Sequence, residues 1–292
     1  MKHAIAAMML LSIATAAEAG VVVDKTLDVK PDGIVRIENV RGRIDVQGWN
    51  RNQVQVVGTL DDSARSLTFE TAGAATTVRV EMPEHFGHGD GSNLVIHVPE
   101  KSRVQVDVVS AELHLTDLQG DVDAKTVSGG IEATDVAGRV ELATVSGKIH
   151  VDRGNGPMTF SSVSGNIRAD VATNHLRIST VSGTADVTSS TAVDELTMHS
   201  VSGDLKIGTK VADGARIEGS TTSGDIRLAI NRDAGAVVEM HASAGGGIRN
   251  TLTRDSPNRN IAGAETLDLT LGNGRASIEL TTVSGDLELA PV

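Results

Sequence analysis

The tripeptide Val-Ser-Gly occurs six times, at Val127, Val145, Val163, Val181, Val201 and Val283, and Thr222-Ser223-Gly224 is a near copy. The serines stand 18 residues apart from Ser128 through Ser146, Ser164 and Ser182, then 20 and 21 apart at Ser202 and Ser223. Ser110 carries the series one step back. A weaker copy lies midway, as in Val136-Ala137-Gly138-Arg139-Val140, so glycine recurs every nine residues at Gly120, Gly129, Gly138, Gly147, Gly156 and Gly165. Asn174 fills the next place in that series. Asparagine is a residue that tolerates a left-handed backbone, so the series predicts turns with positive φ. Repetition at this period demands a fold that itself repeats.

Between the turns, apolar and polar residues alternate, as in Gly147-Lys148-Ile149-His150-Val151, which is the pattern of a half-buried strand. Aligned copies give inward columns. One runs Leu113, Ile131, Ile149, Ile167, Ala185, Leu205, Ile226 and Leu287, and a second runs Leu115, Ala133, Val151, Ala169, Val187, Ile207, Leu228 and Leu289. A third, from the alternate strand, runs Val122, Val140, Met158, Leu176, Leu196, Ile217 and Ile278. These columns predict an all-β fold, a parallel β-solenoid of about 18 residues per coil, each coil pairing with the next at about 4.8 Å. The general preference of crossovers makes it right-handed. An antiparallel sandwich has strands of similar spacing but no reason to repeat side-chain identity in register. A calcium-binding nonapeptide roll needs Gly-Gly-x-Gly-x-Asp turns, which the chain lacks.

Gly129, Gly147, Gly165, Gly183, Gly203, Gly224 and Gly285 are the predicted structural turns. Thr126, Thr144, Ser162, Thr180, Ser200, Thr221 and Thr282 precede them and are read, with the repeat serines, as stacked hydroxyl ladders. No serine sits in Gly-x-Ser-x-Gly or has Lys three residues later, so a row of nucleophiles is disfavoured. The 292 residues include one Trp, three Phe and no Tyr or Cys. A narrow coil explains that scarcity if rings do not fit between its walls. It also rules out disulfides, thiolate nucleophiles and thiolate metal sites.

The start of the chain has the pattern of a secretory signal: basic Lys2, an apolar run from Ala4 to Ala17, and Ala17-Glu18-Ala19 before Gly20. Residues 1–19 are therefore expected to be cleaved, leaving no transmembrane segment and an exported protein in the periplasm, at the surface or secreted. Residues 20–100 form a β-rich, divergent part that caps the stack, and Asn39-Val40-Arg41-Gly42-Arg43-Ile44 within it echoes the repeat. Residues 101–292 carry the repeats, with a loop inserted near 250–263.

The signal, the segment Arg41-Gly42-Arg43-Ile44-Asp45-Val46-Gln47-Gly48-Trp49 with Val54-Gln55-Val56, and the Thr-Val-Ser-Gly-x-Ile units together resemble the bacterial putative-adhesin family. That resemblance implies an exported β-strand-repeat protein of the cell envelope. Its motifs are structural, with no catalytic signature to transfer.

A formal net charge of −12 argues against nucleic acid as a partner. His85, His88 and Asp90, with Glu84, form a weak metal candidate on a glycine-rich loop, at a spacing that matches no familiar metal motif. No cofactor or metal is expected. Between the first two inward columns lies an outward row of His114, Glu132, His150, Arg168, Asp186, Lys206 and Arg227. It reads as a solvated ladder of mixed charge or as a polar recognition stripe. The chain is thus expected to be a non-enzymatic envelope scaffold or adhesin, its partner an envelope or surface protein or polymer. The alternative is a binding or sensing module that captures cationic peptides or another envelope component through its acidic surface.

Overall fold

The computed structural model describes residues 20–85, 87, 89–243 and 245–292. The signal expected at 1–19 therefore lies outside the described residues. In chain order the strands are β1 (Val22–Asp28), β2 (Ile34–Trp49), β3 (Gln53–Thr59), β4 (Ser66–Ala72), β5 (Ala75–Glu81), β6 (Ser92–Pro99), β7 (Arg103–Leu118) and β8 (Val122–Thr126). They continue as β9 (Ile131–Val136), β10 (Val140–Thr144), β11 (Ile149–Asn155), β12 (Met158–Ser162), β13 (Ile167–Ala172), β14 (His175–Thr180), β15 (Ala185–Ser200) and β16 (Leu205–Thr221). The last are β17 (Ile226–Ile230), β18 (Ala236–Ala242), β19 (Ile248–Asn250), β20 (Asn258–Arg259), β21 (Glu265–Thr270), β22 (Ala276–Thr282) and β23 (Leu287–Pro291). The described chain is all β, and these 23 strands form one hydrogen-bonded, mostly parallel sheet that turns back on itself in a solenoid-like stack.

Each rung contributes one strand to each of two walls. On the first wall Leu113 pairs with Ile131, Ile131 with Ile149, Ile149 with Ile167 and Ile167 with Ala185, at 18 residues per step. On the second wall Val122, Val140, Met158 and Leu176 pair in the same way. All three inward columns are buried, because each strand turns its apolar residues to the gap between the walls. Phe160 corrects the expectation about rings. It is fully buried in a fourth column with Ala124, Leu142 and Ile178, so the gap does admit one aromatic side chain.

The ends are not stacked in chain order. β2 pairs with β7 on one side and with β5 and β6 on the other, so the outermost N-terminal rung comes from residues between those two strands. β3 and β4 then run antiparallel to β6 and β5, and β1 runs antiparallel to β3. At the other end β22 and β23 insert between β16–β17 and β18–β19, and β21 closes antiparallel on β18. The outermost rungs therefore lie on strands that are themselves paired on both sides, β5 and β6 on β2, and β18 and β19 on β22 and β23.

The Val-Ser-Gly corner joins the second wall to the first. The hydroxyl of Thr126, Thr144, Ser162, Thr180, Ser200, Thr221 or Thr282 accepts the amide of the glycine three residues later, at 2.8–3.1 Å. Each repeat serine donates its hydroxyl to a carbonyl of the preceding rung, from Ser128 to Val109 at 3.4 Å through Ser284 to Thr222 at 3.2 Å. The hydroxyls are structural, but they bond to backbone and do not form chains with one another.

The expectation of positive φ fails at Gly129, Gly147, Gly165, Gly183, Gly203, Gly224 and Gly285, and at Asn174; none of them has it. Glycine is required there by close approach. A Cβ on Gly147 falls far inside van der Waals contact with the Gly129 carbonyl oxygen, and one on Gly165 does the same against Gly147. Positive φ belongs to the opposite corner, at Gly138 (79°) and Gly156 (97°) and at Asp117, Asp135 and Arg153 (54–56°), one in each of three successive rungs.

Two substitutions separate these causes. Gly147→Ala is expected to lower the unfolding free energy by about 2–3 kcal/mol, because the methyl must displace a buried carbonyl. Gly214 has φ of 78° and open space where a Cβ would stand, so Gly214→Ala is expected to cost about 1 kcal/mol. Urea unfolding of both variants measures the difference, and equal losses would reject the close-approach explanation.

Candidate interaction face

The outward row predicted from the repeat is continuous in space. His114 pairs across the ladder with Glu132, Glu132 with His150, His150 with Arg168, Arg168 with Asp186, Asp186 with Lys206 and Lys206 with Arg227. The structure lengthens it at both ends. Asp45 of β2 stands beside His114, and Glu288 of β23 and Arg249 of β19 follow Arg227. Each added residue sits in the same Gly-x-Ile/Leu-x or Gly-Ile-x pattern as the rest, so the signal was present in the sequence.

Within the row, Arg227 bonds Glu288 at 2.7 Å and His114 Nδ1 lies 3.3 Å from Glu132. Such exposed pairs add little to stability. Among the described residues no ion pair joins Arg168, Asp186 or Lys206 to a neighbour, so these groups remain available to solvent or a partner. The row ends in a hollow of about 580 Å³ lined by Lys206, Arg227, Arg249 and Glu288 on one side and Asp204, Asp225, Asp286 and Glu265 on the other. The acids on that second side are partly committed: Asp204, Asp225 and Asp286 each accept the amide of the next rung at 2.8–3.2 Å, and Glu265 accepts that of Ile248 at 2.8 Å.

Beside this row runs a feature the sequence reading left unassigned. Val109, Val127, Val145, Val163, Val181, Val201 and Val283 project from the corner with 42–54% of their surface exposed. From Val109 to Val201 they follow one another rung by rung as an apolar ridge, bordered by the repeat serines. Single exposed valines are ordinary, but six in one line, from Val109 to Val201, form a contiguous patch of the kind that marks an interaction surface, and Thr222 separates them from Val283.

Trp49 is not an open platform for a sugar ring. His97 stacks on it at 4.9 Å, the Arg51 guanidinium lies 4.8 Å from its centroid, and its Nε1 donates to the Gln53 carbonyl at 2.8 Å. Burial, with the nearby Arg51 charge, pushes the His97 imidazole below its usual pKa.

Of the metal candidates, His88 lies outside the described residues, and among the described ones no group of three His, Asp or Glu converges as a metal site. The loop that carries His85 and Asp90 is fastened by Arg41. Its guanidinium donates to the Gly87 carbonyl at 2.7 Å and to both carboxylate oxygens of Asp61 at 2.5 and 3.0 Å. Asp61 is buried and also accepts the Ser63 amide at 2.8 Å. Arg41, seconded by Ser63, holds the Asp61 carboxyl below the usual carboxylate range against the opposing effect of burial.

The chain belongs to the Toastrack DUF4097 family, whose model matches residues 27–290. No curated protein matches it. Two solved structures align with it: a putative cell adhesion protein from Clostridium sporogenes, 11% identical over 93% of this chain and 100% of that one with a TM-score of 0.24, and a putative adhesin from Bacteroides fragilis, 9% identical over 92% and 96% with a TM-score of 0.44. No helix among the described residues is long and apolar enough to cross a membrane.

The Asp61 clasp makes a pH prediction. Because its folded pKa is the lower one, its contribution is complete above the unfolded value of about 3.9 and is lost as pH falls through the folded value. Asp61→Asn is expected to lower the melting temperature by several degrees at pH 7, with the gap to the parent closing towards about pH 2. A gap that stays constant across that range would remove the ionised clasp as its cause. By contrast, His150→Gln on the charged row is expected to change stability by less than about 0.5 kcal/mol.

Proposed function

We propose that this chain is a non-catalytic scaffold of the cell envelope that binds a partner through the continuous face made by the charged row and the valine ridge. The observation that carries the reading is the unbroken row from Asp45 to Arg249, ten outward side chains fixed at strand spacing by a wall packed with aliphatic residues. Such a face presents many weak contacts in one geometry, which suits an extended protein or polymer more than a small molecule. The repeat serines support a non-catalytic role, because each hydroxyl is engaged with a carbonyl of the preceding rung. Export follows from the sequence pattern at residues 1–19, and each coil, about 18 residues in the regular part, contributes one side chain to the face.

One observation favours the second reading, capture of a cationic peptide. Glu218, Glu279, Glu239 and Asp268 stand in adjacent strands on the second wall, and among the described residues only Glu218 of these four has an ion-pair partner, Arg216.

The test uses immobilised protein, an envelope extract and washes at low and high salt. The scaffold reading expects a partner retained at high salt, lost by Val145→Asp with Val163→Asp and weakened by Glu132→Lys with Arg168→Glu, while the melting temperature holds. A partner that is released by salt and by Glu279→Lys with Glu239→Lys, yet indifferent to the first two pairs, would replace it with the cationic reading.

A further inference from the structure

A sheet that does not close has edges, and natural proteins blunt them with charge, shortness, proline or cover. Three edges of this stack show such devices. In β1, Lys25 pairs with buried Val56 and so stands at an inward position, and Asp24 and Asp28 flank it. β19 is only three residues long. β21 is overlaid by β20 at Glu265 and Thr266 and carries Asp268 beyond it.

β4 has none of them. Its seven residues, Ser-Leu-Thr-Phe-Glu-Thr-Ala, hold one carboxylate and no Lys, Arg or Pro, and among the described residues it pairs with β5 alone. Leu67 and Phe69 pack against the core from one side and remain half-buried. The turn to β5 is the two residues Gly73 and Ala74, with φ of 67° at Gly73 only, as in a type II′ hairpin. In such a hairpin Ala72 and Ala75 bond to each other, and the alternation continues to Glu70 and Thr68. The amides and carbonyls of Leu67, Phe69 and Thr71 therefore point away from β5, into the open edge.

We propose that this edge is a self-association site, at which β4 of one copy pairs antiparallel with β4 of a second copy around a two-fold axis at Phe69. The sequence of the strand is compatible with its own reversal. Phe69 lies opposite Phe69, Leu67 opposite Thr71, and Thr68 opposite Glu70, so the one carboxylate in the strand meets a hydroxyl and not another carboxylate. About six backbone hydrogen bonds form, and the half-buried Leu67 and Phe69 of the two copies cover each other at the open ends of their cores. The result is an isologous dimer whose second walls join into one sheet. The chain's net charge of −12 opposes approach at long range, so added salt strengthens this dimer.

The test is sedimentation equilibrium of the purified protein across concentration and salt, with amide hydrogen exchange in parallel. Thr71→Pro removes an amide that makes no bond within the copy, and Leu67→Lys gives β4 the inward charge that β1 already has in Lys25. The parent is expected to dimerise, with the Leu67, Phe69 and Thr71 amides gaining protection as concentration rises. Each variant is expected to raise the dissociation constant at least about tenfold, a loss of about 1.4 kcal/mol, while the Thr71→Pro monomer melts as the parent monomer does and the Leu67→Lys monomer, which loses a contact with the core, melts somewhat lower. A parent that stays monomeric to about 100 μM would overturn the proposal. So would a dimer that survives both variants, or one that is dispersed instead by Val145→Asp with Val163→Asp, which would move the contact to the valine ridge.

Discussion

Everything in this structure depends on how closely one rung can approach the next at the Val-Ser-Gly corner. The glycine lets a backbone carbonyl of the preceding rung occupy the space of a side chain, the serine hydroxyl and amide bond to the preceding rung, and the residue three before the glycine caps its amide. If the glycine carried a Cβ, the walls would be forced apart at the corner and the ladder hydrogen bonds on both sides would lengthen. The aliphatic columns follow from that spacing, since each rung must offer the next a side chain of similar reach. The scarcity of rings follows as well, with Phe160 showing that the limit is one of accommodation and not of absolute width.

Because the core is settled by repetition, the outward positions are free to vary, and they do. The charged row mixes acids, bases and histidines, the ridge keeps valine from Val109 to Val201, and the second wall gathers carboxylates towards its C-terminal end. A stack of this kind separates its tasks: the inward half of every strand serves stability and the outward half is available for recognition. The interleaved ends serve the same division, because the terminal strand β19 lies on β23, itself held on both sides, and so carries the outward face in register to Arg249.

How much could be read in advance varied with the kind of contact. The inward columns and most of the charged row were legible, because the same residue types recur at a fixed place in each copy. The row's extension through Asp45, Glu288 and Arg249 used the same pattern but was harder to place. Arg249 precedes Glu288 in the chain by 39 positions and follows it in the stack. The role of glycine was misread because a left-handed turn and a close backbone approach both select the residue without a side chain. The Arg41 and Asp61 clasp gave no signal, since a residue of β2 and one in the loop after β3 meet only when the chain between them is folded.

By itself the sequence determined the strand alternation, the step between rungs and the identity of the inward columns, because these are local patterns repeated until no other fold fits them. Tertiary structure decided the order of the terminal rungs, the outward exposure of the valines and the bare edge at β4. Those depend on which strands finally lie side by side, and hydrogen bonding between backbones, which is the same for every residue type, leaves no mark of that choice in the amino-acid sequence.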